Sequence, residues 1–320
     1  MKRTCAASLL MLCFFLYPLM GRAEAIPPQD ILSAQAVDER PLKLNATLYF
    51  RYRNTAYLAR ELRELNVSRT VSDEMALVSA LLEGPGSLSP HLSPLFPSGT
   101  QVLSTAVEGE TLFITFNEAL LGRYADEAVV FSTEYSQGEG TLRRRLAMAS
   151  LADTLTENGL YARVQVLVRQ EKLVGNSMRL SNRYYLLEDD ALPPPLSRQE
   201  GYILTPQASA QIFLSGWQSG DFTAGLRLVK GSEGRVPAPI PSDYDLKLSL
   251  EQAPKLADFL VTPGSISLDG QTALVTISLK LLSGDGTEKL VEHRPLRLLL
   301  REGVYAIPYE GFARLMEAVK

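Results

Sequence analysis

The sequence predicts an α+β protein of two domains, an N-terminal α/β sandwich and C-terminal helices packed on a curled antiparallel sheet. Three observations carry this prediction. In the first half, apolar spacing alternates between two and three-to-four, in the order strand, helix, hairpin, helix, strand. Glu188-Asp189-Asp190-Ala191-Leu192-Pro193-Pro194-Pro195 then breaks the chain with an acidic run and three prolines, which fix φ and favour extended geometry. Beyond the break, helical patterns come first and a run of two-residue alternation punctuated by turn signals comes last.

The 320 residues suffice for two domains, and 46% apolar with 21% charged residues is an ordinary globular balance. The N-terminus stands apart. Lys2 and Arg3 precede an apolar run from Ala6 to Met20, and Ala23-Glu24-Ala25 places small residues where a signal peptidase reads. Residues 1–25 are therefore expected to be a secretory signal, with an uncleaved N-terminal anchor as the alternative. Lipidation of Cys13 is a third reading, disfavoured by Leu12 where a small residue is wanted. Both cysteines, Cys5 and Cys13, lie in this segment, so a cleaved chain has no disulfide, thiolate nucleophile or cysteine metal site. Export without disulfides points to a bacterial envelope. Removing residues 1–25 takes away Lys2, Arg3, Arg22 and Glu24 and leaves 29 basic against 35 acidic residues, net −6. That balance argues against nucleic acid as a partner.

Residues 26–43, polar with Pro27-Pro28, read as a tether. The first domain follows at 44–188. Leu48, Phe50 and Tyr52 alternate along a strand over 46–52. Tyr57–Leu65 fits either a helix or a second strand. Ser72-Asp73 opens a helix with a buried stripe of Met75, Val78 and Leu82, stopped by Gly84-Pro85. The long segment that follows carries Leu88, Leu92, Leu95 and Phe96 as apolar anchors and Pro90, Pro94 and Pro97 as stiffeners, so it reads as a packed crossover. It lacks the acid–base groups of a catalytic lid. Residues 101–107 and 111–116 form a hairpin turning at Gly109. A helix over about 142–157 buries Met148, Leu151, Ala152 and Leu155, and 163–168 is a final strand.

Residues 189–200 form a Pro-rich linker to the second domain, 201–320. Thr205-Pro206 opens a helix and Gly220-Asp221-Phe222 a shorter one. A helix is expected over about 246–259, kinked or split at Pro254. Asp269-Gly270, Asp285-Gly286 and Glu302-Gly303 then separate strands at 265–268, 273–282, 289–300 and 305–308, an antiparallel meander.

Residues able to carry chemistry are few. After the signal the only histidines are His91, in the crossover and expected to be solvated, and His293, in a strand. Neither has the neighbours of a metal site. The serines of the crossover have no base beside them, and no nucleophile elbow or phosphate loop occurs. No catalytic, cofactor or metal residue is assigned. Arg143-Arg144-Arg145, near a helix start, is a solvated face or a contact for an acidic partner or anionic lipid. Phe213, Trp217 and Phe222 are core or the lining of a pocket.

Four stretches carry a resemblance: "ATLYFRYRNTAYLARELREL", "MALVSALLEGPG", "LFPSGTQVLSTAVEGETLFITFNEAL" and "LAMASLADTLTENGLYARVQVLV". Together they resemble the GerMN domain of bacterial sporulation and spore-germination proteins, over roughly 44–188. The resemblance implies an α+β domain on the outer side of a membrane, acting as an assembly or stabilising partner within an envelope or sporulation complex. It carries over no catalytic residue, and it favours a strand at Tyr57–Leu65. The family's well-known members are lipoproteins, and Leu12 before Cys13 departs from the lipidation pattern, which leaves the anchoring of this chain open. "SAQIFLSGWQSGDFTAGLRLV" and the meander down to "REGVYAIPYEGF" resemble the cone-shaped folds related to nuclear transport factor. The expectation is a non-enzymatic, exported, extracytoplasmic docking protein, with membrane proximity through its N-terminus. The alternative is a binding module whose second domain holds a small apolar or cell-wall-derived ligand.

Overall fold

The computed structural model describes residues 41–124, 136–159, 161–170, 177–233, 239, 241–284 and 286–319. The predicted signal, and the tether up to residue 40, lie outside the described residues. Leu42–Lys320 is one compact unit with two hydrophobic cores.

The first lobe begins with a long hairpin, β1 (Leu42–Tyr52) and β2 (Leu58–Val67), paired antiparallel throughout. The ambiguous Tyr57 segment is thus a strand, and the last two residues assigned to the tether already belong to β1. Helix α1 (Asp73–Glu83) is capped by the Ser72 hydroxyl, which accepts from the Met75 amide. The crossover contributes a two-residue strand, β3 (Leu92–Ser93), against the end of β1. It packs down through Leu92 and Leu95, while Leu88, expected as an anchor, is 95% exposed. Strands β4 (Val102–Glu108) and β5 (Thr111–Phe116) form the predicted hairpin. Helix α2 (Thr141–Asn158) then leads to β6 (Arg163–Arg169), which lies parallel to β5, the crossover geometry that a helix provides. The short β7 (Ser177–Arg179) completes a sheet of order β4-β5-β6-β7.

Helix α2 is buried nearly all round, and its polar residues explain how β1 is held. One edge of β1 pairs with β2. The opposite edge meets β3 only at Arg51 and Tyr52. The gap is filled by side chains of α2 at four-residue spacing. The Ser150 hydroxyl donates to the Tyr49 carbonyl (2.5 Å), and the Tyr49 amide donates to Thr154 Oγ1 (3.1 Å). The Thr47 amide donates to Asn158 Oδ1 (2.8 Å), and Asn158 Nδ2 donates back to the Thr47 carbonyl (2.7 Å). The helix stands in for a missing strand, and its side chains satisfy β1 backbone groups that have no strand partner.

The Pro-rich segment runs along this lobe. Leu196 and Val164 exchange both backbone hydrogen bonds at 2.8 Å, Arg198 pairs with Glu157, and Arg179 Nη2 donates to the Pro193 carbonyl at 2.5 Å.

The second lobe opens with α3 (Pro206–Ser219), capped by Thr205 and closed by Gly220, and α4 (Phe222–Leu226), capped by Asp221. Helix α5 (Asp243–Glu251) has a reciprocal Ser242–Asp245 capping box. The helix expected to reach Phe259 stops there. Pro254 cannot supply a helical amide, and Lys255–Thr262 forms strand β8 instead. Strands β9 (Thr272–Leu282), β10 (Glu288–Arg301) and β11 (Val304–Ala306) complete an antiparallel sheet of order β11-β10-β9-β8. The stretch 265–268, expected as a strand, makes one isolated bridge, Ile266 with Ala273, beyond the Thr276–Leu282 part of β9 that β8 pairs with, and then turns at Gly270. A final helix, α6 (Tyr309–Val319), buries Phe312, Leu315, Met316 and Val319. The outer edge of β8 is covered by α3, whose Gln207 and Gln218 amides donate to the Val261 and Ala257 carbonyls at 3.1 and 2.7 Å.

The lobes meet through backbone. The Leu204 amide donates to the Leu58 carbonyl at 2.8 Å. Gly303, at φ +78°, lies so close over β2 that a Cβ there would stand 2.2 Å from the Arg60 carbonyl oxygen. Both the left-handed backbone and that approach require glycine. Leu204, Leu228 and Val304, from the second half of the chain, belong to the first core.

The clasp on β1 leads to a first expectation. Asn158→Ala removes both partners of Thr47 and should cost about 2 kcal/mol. Thermal unfolding should then show a midpoint roughly 4–8 °C lower. An unchanged midpoint would mean that water replaces the clasp without loss.

Candidate interaction sites

The three arginines of the basic run do not share a surface. Helical spacing turns successive residues about 100° apart, and α2 is buried on most sides. Arg144 is 6% exposed, Arg143 is half-buried, and Arg145 is exposed. The Arg143 and Arg144 guanidinium carbons lie 4.6 and 5.4 Å from the centre of the Tyr124 ring, a cation–π arrangement. The Tyr124 hydroxyl donates to the Leu95 carbonyl at 2.7 Å, so this stack pins the crossover. Arg144 also borders a hollow of about 260 Å³ with Val168, Met178 and Arg179. Of the predicted contact, Arg145 is the residue the fold presents outward.

The aromatic trio does not line a common pocket either. Phe213 and Trp217 are 1% and 4% exposed in the second core. Phe312 of α6 meets Phe213 edge to face at 6.0 Å, filling the space where a ligand was envisaged. Phe222 is half-buried and borders a shallow surface hollow with Leu226 and Tyr244.

His91 is a correction. It is 8% exposed, not solvated. Its carbonyl accepts from the Arg53 amide at 2.7 Å, its ring tilts against Tyr52 at 6.0 Å, and Nδ1 lies 3.9 Å from Glu302 Oε2. Lys230 holds the same Glu302 carboxylate at 2.5 Å. Burial lowers the His91 pKa, against an upward pull from Glu302. This cluster belongs to the lobe junction. Pro90 and Leu92 on either side, in an apolar loop, were the signal that its ring would turn inward. His293 is exposed, at a bulge in β10 with φ +51°.

Besides Arg144, Arg51 and Asp153 are buried charged side chains among the described residues of the first lobe. Arg51, 2% exposed, is fully engaged: Nε donates to the Thr55 carbonyl at 2.8 Å, and Nη1 and Nη2 grip the Glu139 carboxylate. It ties the β1–β2 turn to the segment entering α2. Asp153 of α2 is wholly buried. One carboxylate oxygen accepts from the Gln199 amide at 2.6 Å, and the other has no partner. Burial pushes its pKa up to about 6, with the Gln199 amide and Arg198 pulling the other way. The carboxyl has no exposed surface, and its one hydrogen bond ties α2 to the chain at Gln199. Among the described residues, no group of three His, Cys, Asp or Glu side chains could hold a metal ion. No helix of the described residues is long and apolar enough to cross a membrane.

The comparisons with known proteins bear on the first lobe. Residues 47–174 match the family model Germane, described as sporulation and spore germination. That segment is similar to the Germane family. It takes in β1 from Thr47 onward, β2 to β6 and the whole α2 clasp. Among solved structures, the tandem GerMN domains of the sporulation protein GerM from Bacillus subtilis align at 16% identity and a TM-score of 0.31, over 55% of this chain and 50% of that one. The chain thus spans about half the length of that structure. The first GerMN domain of the same protein aligns at 14% identity and a TM-score of 0.31, over 48% of this chain and 98% of that one. No curated protein matches. The Germane family suggests a role in sporulation or germination.

The Asp153 geometry sets a pH dependence. The folded pKa of about 6 lies above the ordinary 3.8, so the folded state holds this proton more tightly. The associated stability is complete below about pH 4 and is lost as pH rises through about 6. Asp153→Asn keeps an acceptor for Gln199 and removes the ionisation. Its unfolding free energy relative to wild type should therefore rise between pH 4 and pH 7, by at most about 3 kcal/mol. A difference independent of pH in chemical denaturation would contradict the assignment.

Proposed function

We propose that this chain is a non-enzymatic, exported envelope protein that serves as an assembly or stabilising partner in sporulation or spore germination. The observation that carries the reading is the Germane match over 47–174. The second lobe, joined to the domain by backbone contacts at Leu58 and Arg60, gives it a larger rigid body. Export rests on the basic, apolar and small-residue pattern of residues 1–25. The partner is another extracytoplasmic protein of the envelope or sporulation complex, and Arg145 is the outward charge of the basic run that meets it. The acidic balance of the chain disfavours nucleic acid. Among the described residues, the one carboxyl whose pKa is pushed strongly upward, Asp153, has no exposed surface, which supports a role without catalysis.

The test is crosslinking capture of the tagged chain from its own cell envelope, during growth and during sporulation, beside an Arg145→Glu variant. Stage-specific recovery of envelope assembly proteins is expected, reduced several-fold by the substitution. Equal recovery with the variant removes Arg145 from the contact, and no recovery at either stage contradicts the docking role.

A further inference from the structure

We propose that the cleft between the open edge of β10 and helix α6 binds a carboxylate-rich polypeptide segment. The cleft arises from strand lengths. Strand β10 spans Glu288–Arg301, but β11 pairs only with Leu299–Arg301. From Glu288 to Leu298 that edge has no strand partner among the described residues. Helix α6 passes beside it. Lys289 Nζ donates to the Ala318 carbonyl at 3.3 Å at one end, and Gly311 approaches the Arg297 carbonyl at the other. Between them lies a hollow of about 530 Å³.

Its floor is apolar, with Ile277, Leu296 and Leu315 each no more than 5% exposed. Its rim carries Arg294, Arg297 and Arg314. Arg314 is already gripped by Glu233 at 2.6 Å. Arg294 and Arg297 are exposed, and neither forms an ion pair among the described residues. Glu317 is the single carboxylate in the lining. Guanidinium groups bind carboxylates in a bidentate fork. A positive rim on a chain of net charge −4 is therefore a local feature that selects anions at short range.

The edge itself decides the kind of occupant. Pro295 offers no amide, and the bulge between Val291 and Arg294 breaks the ladder, so plain strand addition is blocked. Recognition falls to side chains: carboxylates on the arginines, apolar groups on the floor. A second copy of this chain would set arginine against arginine. A flat anionic membrane would reach the rim and leave the floor empty.

The site can be tested by fluorescence anisotropy on the full chain with a labelled peptide of repeated Glu-Glu-Leu, a Gln-Gln-Leu control, and phosphatidylglycerol vesicles as a separate arm. Arg294→Glu with Arg297→Glu should weaken the acidic peptide on the order of tenfold or more. Arg163→Glu with Arg169→Glu, the same charge change on β6, should leave it unchanged, and the Gln peptide should not bind. Equal loss in both double variants would reduce the effect to net charge. No binding by wild type, or vesicle binding alone that the β10 variant abolishes, overturns the proposal. Circular dichroism of each variant separates misfolding from loss of the site. The inference stands apart from the docking reading: envelope capture can fail while the peptide still binds, and the reverse.

Discussion

The fold rests on how one strand edge is satisfied. Strand β1 is the hub of its sheet, yet only one side of it has a full-length partner. The other side lies in the core, where an unpaired amide or carbonyl costs one to three kcal/mol by the usual order-of-magnitude figure. Ser150, Thr154 and Asn158 of α2 remove that cost. In doing so they fix the register and height of the helix against the sheet. Everything α2 carries is placed by this contact: Asp153 against Gln199, Arg143 and Arg144 around Tyr124, and Glu157 against Arg198. The Pro-rich segment then lies where α2 and β6 leave room for it.

The second consequence is that the chain's two halves share structure. The glycine at 303 permits a turn of one sheet to rest on the backbone of another, and Glu302 beside it gathers His91 and Lys230. A sequence with one proline-rich break reads as two beads on a string. Here the break is bound along the first lobe, and Val304 and Leu228 enter its core. Linker composition sets intrinsic stiffness, but side chains on either side decide whether the linker is free.

Much of this was legible from residue patterns. Alternation at Leu48, Phe50 and Tyr52, caps at Ser72 and Thr205, and the turn glycines placed most elements, because each depends on local chemistry. The Leu256–Val261 strand was hidden because its alternation follows a helix without a clear gap, with only Pro254 between. Helix α6 was hidden by the strand before it, though Phe312, Leu315, Met316 and Val319 have helical spacing. The roles of the basic run and the aromatic trio depend on which face each helix buries, a tertiary fact. The clasp was also beyond a reading that follows apolar stripes, since Ser150, Thr154 and Asn158 form a polar stripe that is nevertheless buried or half-buried.

The central claim is that α2 side chains do the work of a strand at Thr47 and Tyr49. Native-state hydrogen exchange at those two amides tests it most directly. Protection as strong as that of β1 amides bonded to β2, exchanging only with global unfolding, is the expected result. Exchange as fast as that of a frayed edge would contradict it, and would mean that the fold is held by the apolar core alone.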